Sequence, residues 1–130
     1  MQAAARLVCD LKPHDHISAS IRALHWLPIK QRIDFKLCLL VHQTVNVRAP
    51  SYLQDLITQS VSVPRRATLR SASHHDLVLQ SSHRKLGDRA FSVAGPRAWN
   101  SLPIELKTII DTSVFKRRLK TLLFTIAYPS

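Results

Sequence analysis

The chain has 130 residues, 45% of them hydrophobic, and carries 19 Lys and Arg against eight Asp and Glu, a net charge of +11. That length fits one domain able to bury roughly 65% of its unfolded surface, and the apolar content excludes a disordered chain. No apolar run nears the ~20 residues that a bilayer crossing needs, and M-Q-A-A-A-R-L-V-C-D, with its early aspartate, does not read as a secretory signal.

Ala3 to Leu11 is a run of good helix formers, stopped at Lys12 by Pro13. No capping residue precedes it, which gives the expectation of a chain cut from something longer. Asp15 or Ser18 can cap a short helix reaching about Leu24. L-H-W-L-P follows, and Pro28 suits the first turn of the next helix. Ile29 to Val45 contains neither Gly nor Pro. On a helical wheel Ile29, Ile33, Leu37, Leu40, Val41 and Thr44 share one face, while Phe35, Cys38, Leu39 and Val45 spread apolar surface onto the others. A helix apolar nearly all round is buried, so this one is expected to run through the middle of the domain.

Asn46 to Pro50 reads as a turn, and Ser51 to Ile57 as a short helix with Tyr52, Leu53, Leu56 and Ile57 inward. From Thr58 to Lys85 serines, arginines and histidines dominate; Asp76 to Gln80 fits a short strand, with Ala67 to Ser71 as its partner. Gly87 to Pro103 holds both glycines of the chain. Gly87 is expected to end the basic segment with a turn, and Gly95-Pro96 to break the short helices that Phe91, Val93 and Trp99 dock. This stretch is either a structural corner or a loop presenting Arg89 and Arg97 to a partner. Thr112 or Ser113 caps a closing helix over Val114 to Ile126. Its stripe is Phe115, Leu119, Leu122, Leu123 and Ile126, and Lys116, Arg117 and Lys120 point away from it. The fold class is therefore mainly α, one small helical domain over 1–130. It is helical over 1–57 and 87–130, with an irregular basic segment over 58–86 that has room for a β-hairpin.

The charge is uneven. Residues 64–97 carry seven basic residues, Arg65, Arg66, Arg70, Arg84, Lys85, Arg89 and Arg97, against Asp76 and Asp88, a net of +5. Such a surplus favours polyanions, nucleic acid ahead of anionic membrane; the plain alternative is a solvated surface that keeps the protein soluble. The acidic residues include no D-D pair, no D-x-D and no H-E-x-x-H, so local spacing supplies no two-metal site. The two glycines form neither a P-loop nor a dinucleotide fingerprint. Cys9 and Cys38 are expected as buried free thiols. Cys38 with His42 is either half of a metal site or a buried thiol beside a surface histidine, and CxxC and CxxH are both absent. Trp26 and Trp99 each precede a Leu-Pro; packing back on the following helix and stacking on a nucleobase are the two readings.

A-A-R-L (4–7), L-H-W-L-P (24–28), R-I-D-F-K (32–36), A-P-S-Y-L-x-D-L (49–56), L-R-S (69–71), G-D-R-A-F-S-V-A-G-P-R-A-W-N-S-L-P (87–103) and S-x-F-K-R-R-L-K-T-L-L-F (113–124) occur in one order. Together they resemble the extreme C-terminal region of reverse transcriptases encoded by LINE-type, non-LTR retrotransposons of animal genomes. The resemblance spans nearly the whole chain. Val47 stands where those proteins often have Gly, Gly95 where they often have Ala, and Gln80 to His83 replaces a Pro-Arg or Pro-Lys stretch.

The resemblance implies a thumb-side region that follows the polymerase palm. The aromatic-Ala-Asp-Asp motif of the palm has no counterpart here, so no catalytic residue carries over. It further implies a non-catalytic domain; the missing motifs give the expectation of no cofactor, metal or small-molecule substrate, and the start of the chain with its two cysteines that of an intracellular, reducing setting. Such a domain would hold RNA or DNA weakly and without sequence preference through Arg65, Arg66, Arg70, Arg84, Lys85, Arg89 and Arg97, joined by Lys116, Arg117 and Lys120. The alternative is a structural or interaction domain whose apolar helices cap the missing polymerase and which has no activity of its own.

Overall fold

The computed structural model describes residues 2–129, with the backbone alone at 71 and 72. The fold is mainly helical, as the sequence indicates. In chain order the helices are α1 (Gln2–Val8), α2 (Ser18–Ala23), α3 (Ile29–Val45), α4 (Ser51–Gln54), α5 (Arg70–Ser73), α6 (Phe91–Asn100), α7 (Ile104–Lys107) and α8 (Thr112–Ala127). Single 3-10 turns occupy Ser60–Ser62 and Gly87–Arg89. None of these helices is long and apolar enough to cross a membrane.

The core forms where α3 packs against α6 and α8. Cys38 and Val41 of α3, Trp99 of α6, and Phe115, Leu119 and Leu123 of α8 are all buried. The inward face of α3 differs from the stripe the wheel suggests. Ile29 and Ile33 are more than half exposed and Leu40 is also exposed, while Cys38, Val41, His42 and Thr44 face inward. Because α3 is apolar on most sides, its own periodicity does not choose a face; docking on α6 and α8 does.

His42, expected at the surface, is fully buried. It stacks on Phe115 with ring centroids 4.1 Å apart, and its Nε2 donates to the Ile109 carbonyl at 2.7 Å. Nδ1 is buried without a partner among the described residues. Burial pulls the His42 pKa below its usual value; the bond to Ile109 opposes this, the Arg48 charge adds to it, and Asp111 opposes it again. The imidazole is thus held neutral, as a core side chain.

Several local expectations shift. α1 ends at Val8, short of Leu11. Asp15 caps nothing in α2; it accepts from the Lys12 N–H at 2.8 Å, and Ser18 lies inside α2, which has no side-chain cap. α4 stops at Gln54, leaving Tyr52 and Leu56 exposed. Asp111 caps α8, accepting from the Val114 N–H at 2.7 Å, in place of Thr112 or Ser113. Ile126, placed on the stripe of α8, is more than half exposed.

Gly95-Pro96 does not break the chain: α6 runs continuously through both. The proline ring has a helical φ and is buried, which offsets the one hydrogen bond it forgoes. Gly95 admits a close approach, since an added Cβ would sit 3.1 Å from Val41 Cγ2 and 3.1 Å from Phe91 Cε2.

The hairpin expected over Ala67–Ser71 and Asp76–Gln80 is absent; Arg70–Ser73 is a helical turn. Leu77 instead forms an isolated antiparallel bridge with Gln59. α6 supplies what a second strand would have given. The Leu77 N–H donates to Asn100 Oδ1 at 2.8 Å, and Asn100 Nδ2 donates to the Leu77 carbonyl at 2.9 Å. Trp99 Nε1 donates to the His75 carbonyl at 3.0 Å, and Lys107 Nζ bonds Asp76 Oδ1 at 2.5 Å. Trp99 therefore packs in the core, as one of its two readings held, while its N–H grips the basic segment and not the helix that follows.

Three helices end alike, with a residue in the left-handed region followed by a bond back five residues. Asp10 (φ 52°), His25 (φ 54°) and Val47 (φ 56°) occupy those positions. Leu11, Trp26 and Arg48 donate to the carbonyls of Arg6, Ile21 and Gln43. This is the arrangement that glycine normally serves. Val47 is 73% exposed, so its β-branched side chain adds backbone strain with little packing in return. Val47→Gly should stabilise the fold by about 1 kcal/mol, the relief of strain exceeding the added chain entropy. Urea denaturation checks this, and a loss of stability would show that Val47 is unstrained.

Candidate nucleic-acid interface

Two groups of the basic residues singled out from the sequence follow from the chain path. Arg65, Arg66 and Arg70 lie on the turn after the first 3-10 element and at the start of α5, two elements that pack together. Arg84, Lys85, Arg89 and Arg97 surround the second 3-10 turn and α6, also in contact. Here the backbone is tightly wound: the Asp88 N–H donates to the Arg84 carbonyl at 3.1 Å and that of Arg89 to Leu86 at 3.2 Å. All seven side chains are exposed, as are Lys116, Arg117 and Lys120 on α8. Of the ten, only Arg97 has a carboxylate partner among the described residues, Asp88 at 3.7 Å, and both members are well exposed. An exposed pair of that kind is worth little and yields readily to another anion.

Lys107 behaves differently from the charge it resembles in the sequence. Its side chain is 3% exposed and committed to Asp76, with a second bond to the Asn100 carbonyl at 3.2 Å. It contributes to the fold and offers nothing to an outside anion.

Cys38 is buried and its thiol is pushed up to about 12 by burial, with the Asp34 charge adding to the effect. That is the reverse of what a thiolate nucleophile or metal ligand requires. Cys9 is half-buried, less so than expected. His42 Nε2 is committed to the Ile109 carbonyl. No group of three or more His, Cys, Asp or Glu able to hold a metal ion occurs among the described residues.

Beside Lys120 lies a feature the sequence reading did not assemble. A cleft of about 560 Å³ opens between α1, the turn joining α2 to α3, α3 and α8. Arg32, Lys36 and Lys120 line it together with His25, Trp26 and Phe35. Arg32 and Lys36 are four residues apart and so share a helix face, a spacing visible in R-I-D-F-K. Their meeting with Lys120 depends on α3 packing against α8, which no local pattern reveals.

No family model, no curated protein and no solved structure matches this chain.

Proposed function

We propose that the chain is a non-catalytic, nucleic-acid-holding domain, similar to the C-terminal region of LINE-type reverse transcriptases, that binds RNA or DNA through phosphate contacts. The observation that carries this reading is the exposure of all ten basic residues, nine of them without a carboxylate partner among the described residues. Solvated cations on a fixed scaffold attract a polyanion by releasing its condensed counterions. Exposed arginines on turns follow a backbone without reading bases, so the binding is weak and indifferent to sequence. The ordered motifs from Ala4 to Phe124 support placing the domain in a longer polymerase chain, where it would steady template and primer while another domain does the chemistry.

Fluorescence anisotropy with a labelled single strand tests this. Affinity should fall linearly with salt on a log–log scale, and Arg84→Glu with Lys85→Glu should flatten that slope by about 1.4, roughly 0.7 for each phosphate contact removed from a single strand. No binding of RNA or DNA at low salt would overturn the reading.

A further inference from the structure

We infer that the cleft between α1, α3 and α8 is a nucleotide pocket, which receives one base of a single-stranded RNA or DNA and holds its phosphate. The inference rests on the nucleic-acid reading and gives it a specific site. At about 560 Å³ the cleft falls within the roughly 300–1,000 Å³ usual for small-molecule sites. Its walls combine two chemistries. Trp26 and Phe35 bring aromatic side chains, and Lys36 and Lys120 offer positive charge next to Arg32, which already has an interaction of its own. Planar rings attract a planar base of any identity, and the lysine charges attract the phosphate attached to it.

The aromatic side is held in place. His25 is fixed at the lip by the left-handed turn that closes α2, and its ring stacks on Phe124 at 5.3 Å, nearly parallel. Tyr128 donates its hydroxyl to the Trp26 carbonyl at 3.3 Å, which ties the Trp26 backbone to the end of α8. Trp26 is only half-buried, whereas Trp99 is 1% exposed. A tryptophan left half-open beside three cations differs from one used for packing. Being set in a preformed wall, it stacks without the cost of first ordering a loop.

The two indole N–H resonances of the 130-residue chain provide the test. An eight-residue oligouridine, the matching oligothymidine, uridine monophosphate and inorganic phosphate would each be titrated in, with the Trp99 signal as internal control. Both oligomers should shift the Trp26 resonance and leave that of Trp99 in place; the monophosphate should shift it less. Trp26→Ala should weaken oligomer binding between about 5- and 150-fold, the range for loss of one stacked base. Lys36→Glu with Lys120→Glu should weaken it at least tenfold, and an unmoved Trp99 resonance reports that these variants fold. Oligomers that bind by anisotropy while Trp26 stays unmoved and the charge-reversed variant binds normally would overturn the pocket alone. The same would follow if inorganic phosphate gave the full Trp26 shift. Absence of any oligomer binding would overturn the pocket and the broader reading together.

Discussion

Trp99→Ala should destabilise the fold by about 3–5 kcal/mol, as a urea or thermal denaturation series would measure. The ring is 1% exposed and sits at the junction of the three principal helices, 5.9 Å from Phe115 and 6.4 Å from His42 between ring centroids. Truncation removes that contact and opens a cavity that α3 and α8 cannot close without disturbing the His42–Phe115 stack. It also strands the His75 carbonyl, which accepts from Trp99 Nε1. Native domains are stable by only about 5–15 kcal/mol, so this single change should bring the protein close to unfolding. Trp99→Phe separates the two contributions. It restores most of the volume but not the N–H, and should cost about 1–3 kcal/mol. Equal costs for the two variants would show that the hydrogen bond, and not the ring, dominates.

Asp76→Ala should cost about 3 kcal/mol, more than its place in an irregular segment suggests. Lys107 reaches Asp76 from α7 at 2.5 Å with its side chain 3% exposed, while Asp76 is 23% exposed. Without the carboxylate, a buried ammonium keeps only the Asn100 carbonyl at 3.2 Å. Breaking one side of a buried pair is costly because the remaining charge stays desolvated. The partial exposure of Asp76 places the effect at the lower end of that range. Adding Lys107→Met to Asp76→Ala removes the stranded charge, so the double variant should recover to within about 1 kcal/mol of the parent. The cost of the single change should also vary little with salt, since a buried pair is poorly screened. A cost below about 0.5 kcal/mol, typical of an exposed pair, would mean that the ammonium reaches water.

The long regular elements were legible in the sequence. Ile29 to Val45 lacks Gly and Pro and forms α3 as drawn, and the 3.6-residue stripe of Phe115, Leu119 and Leu123 fixes the inner side of α8. Facing was harder for α3, where apolar residues on nearly every side let Ile29 and Ile33 pass for core and let His42 pass for surface. Gly95-Pro96 misled because local propensity marks it as a break. The helix keeps both residues because tertiary contact needs a small side chain against Val41. The basic residues were identified individually, but the cleft was not. It joins α1, the turn before α3, α3 and α8, residues as far apart in the chain as Trp26 and Lys120, and periodicity carries no information across such distances.

The clasp that Trp99, Asn100 and Lys107 make on His75, Asp76 and Leu77 joins two parts of the molecule that composition alone would separate. Loosening the hydrophobic interior should also release the arginine-bearing loop, so under the proposed function damage far from any phosphate would surface as lost affinity for the polyanion. On that proposal, retention on a nucleic-acid column would double as an assay of interior packing.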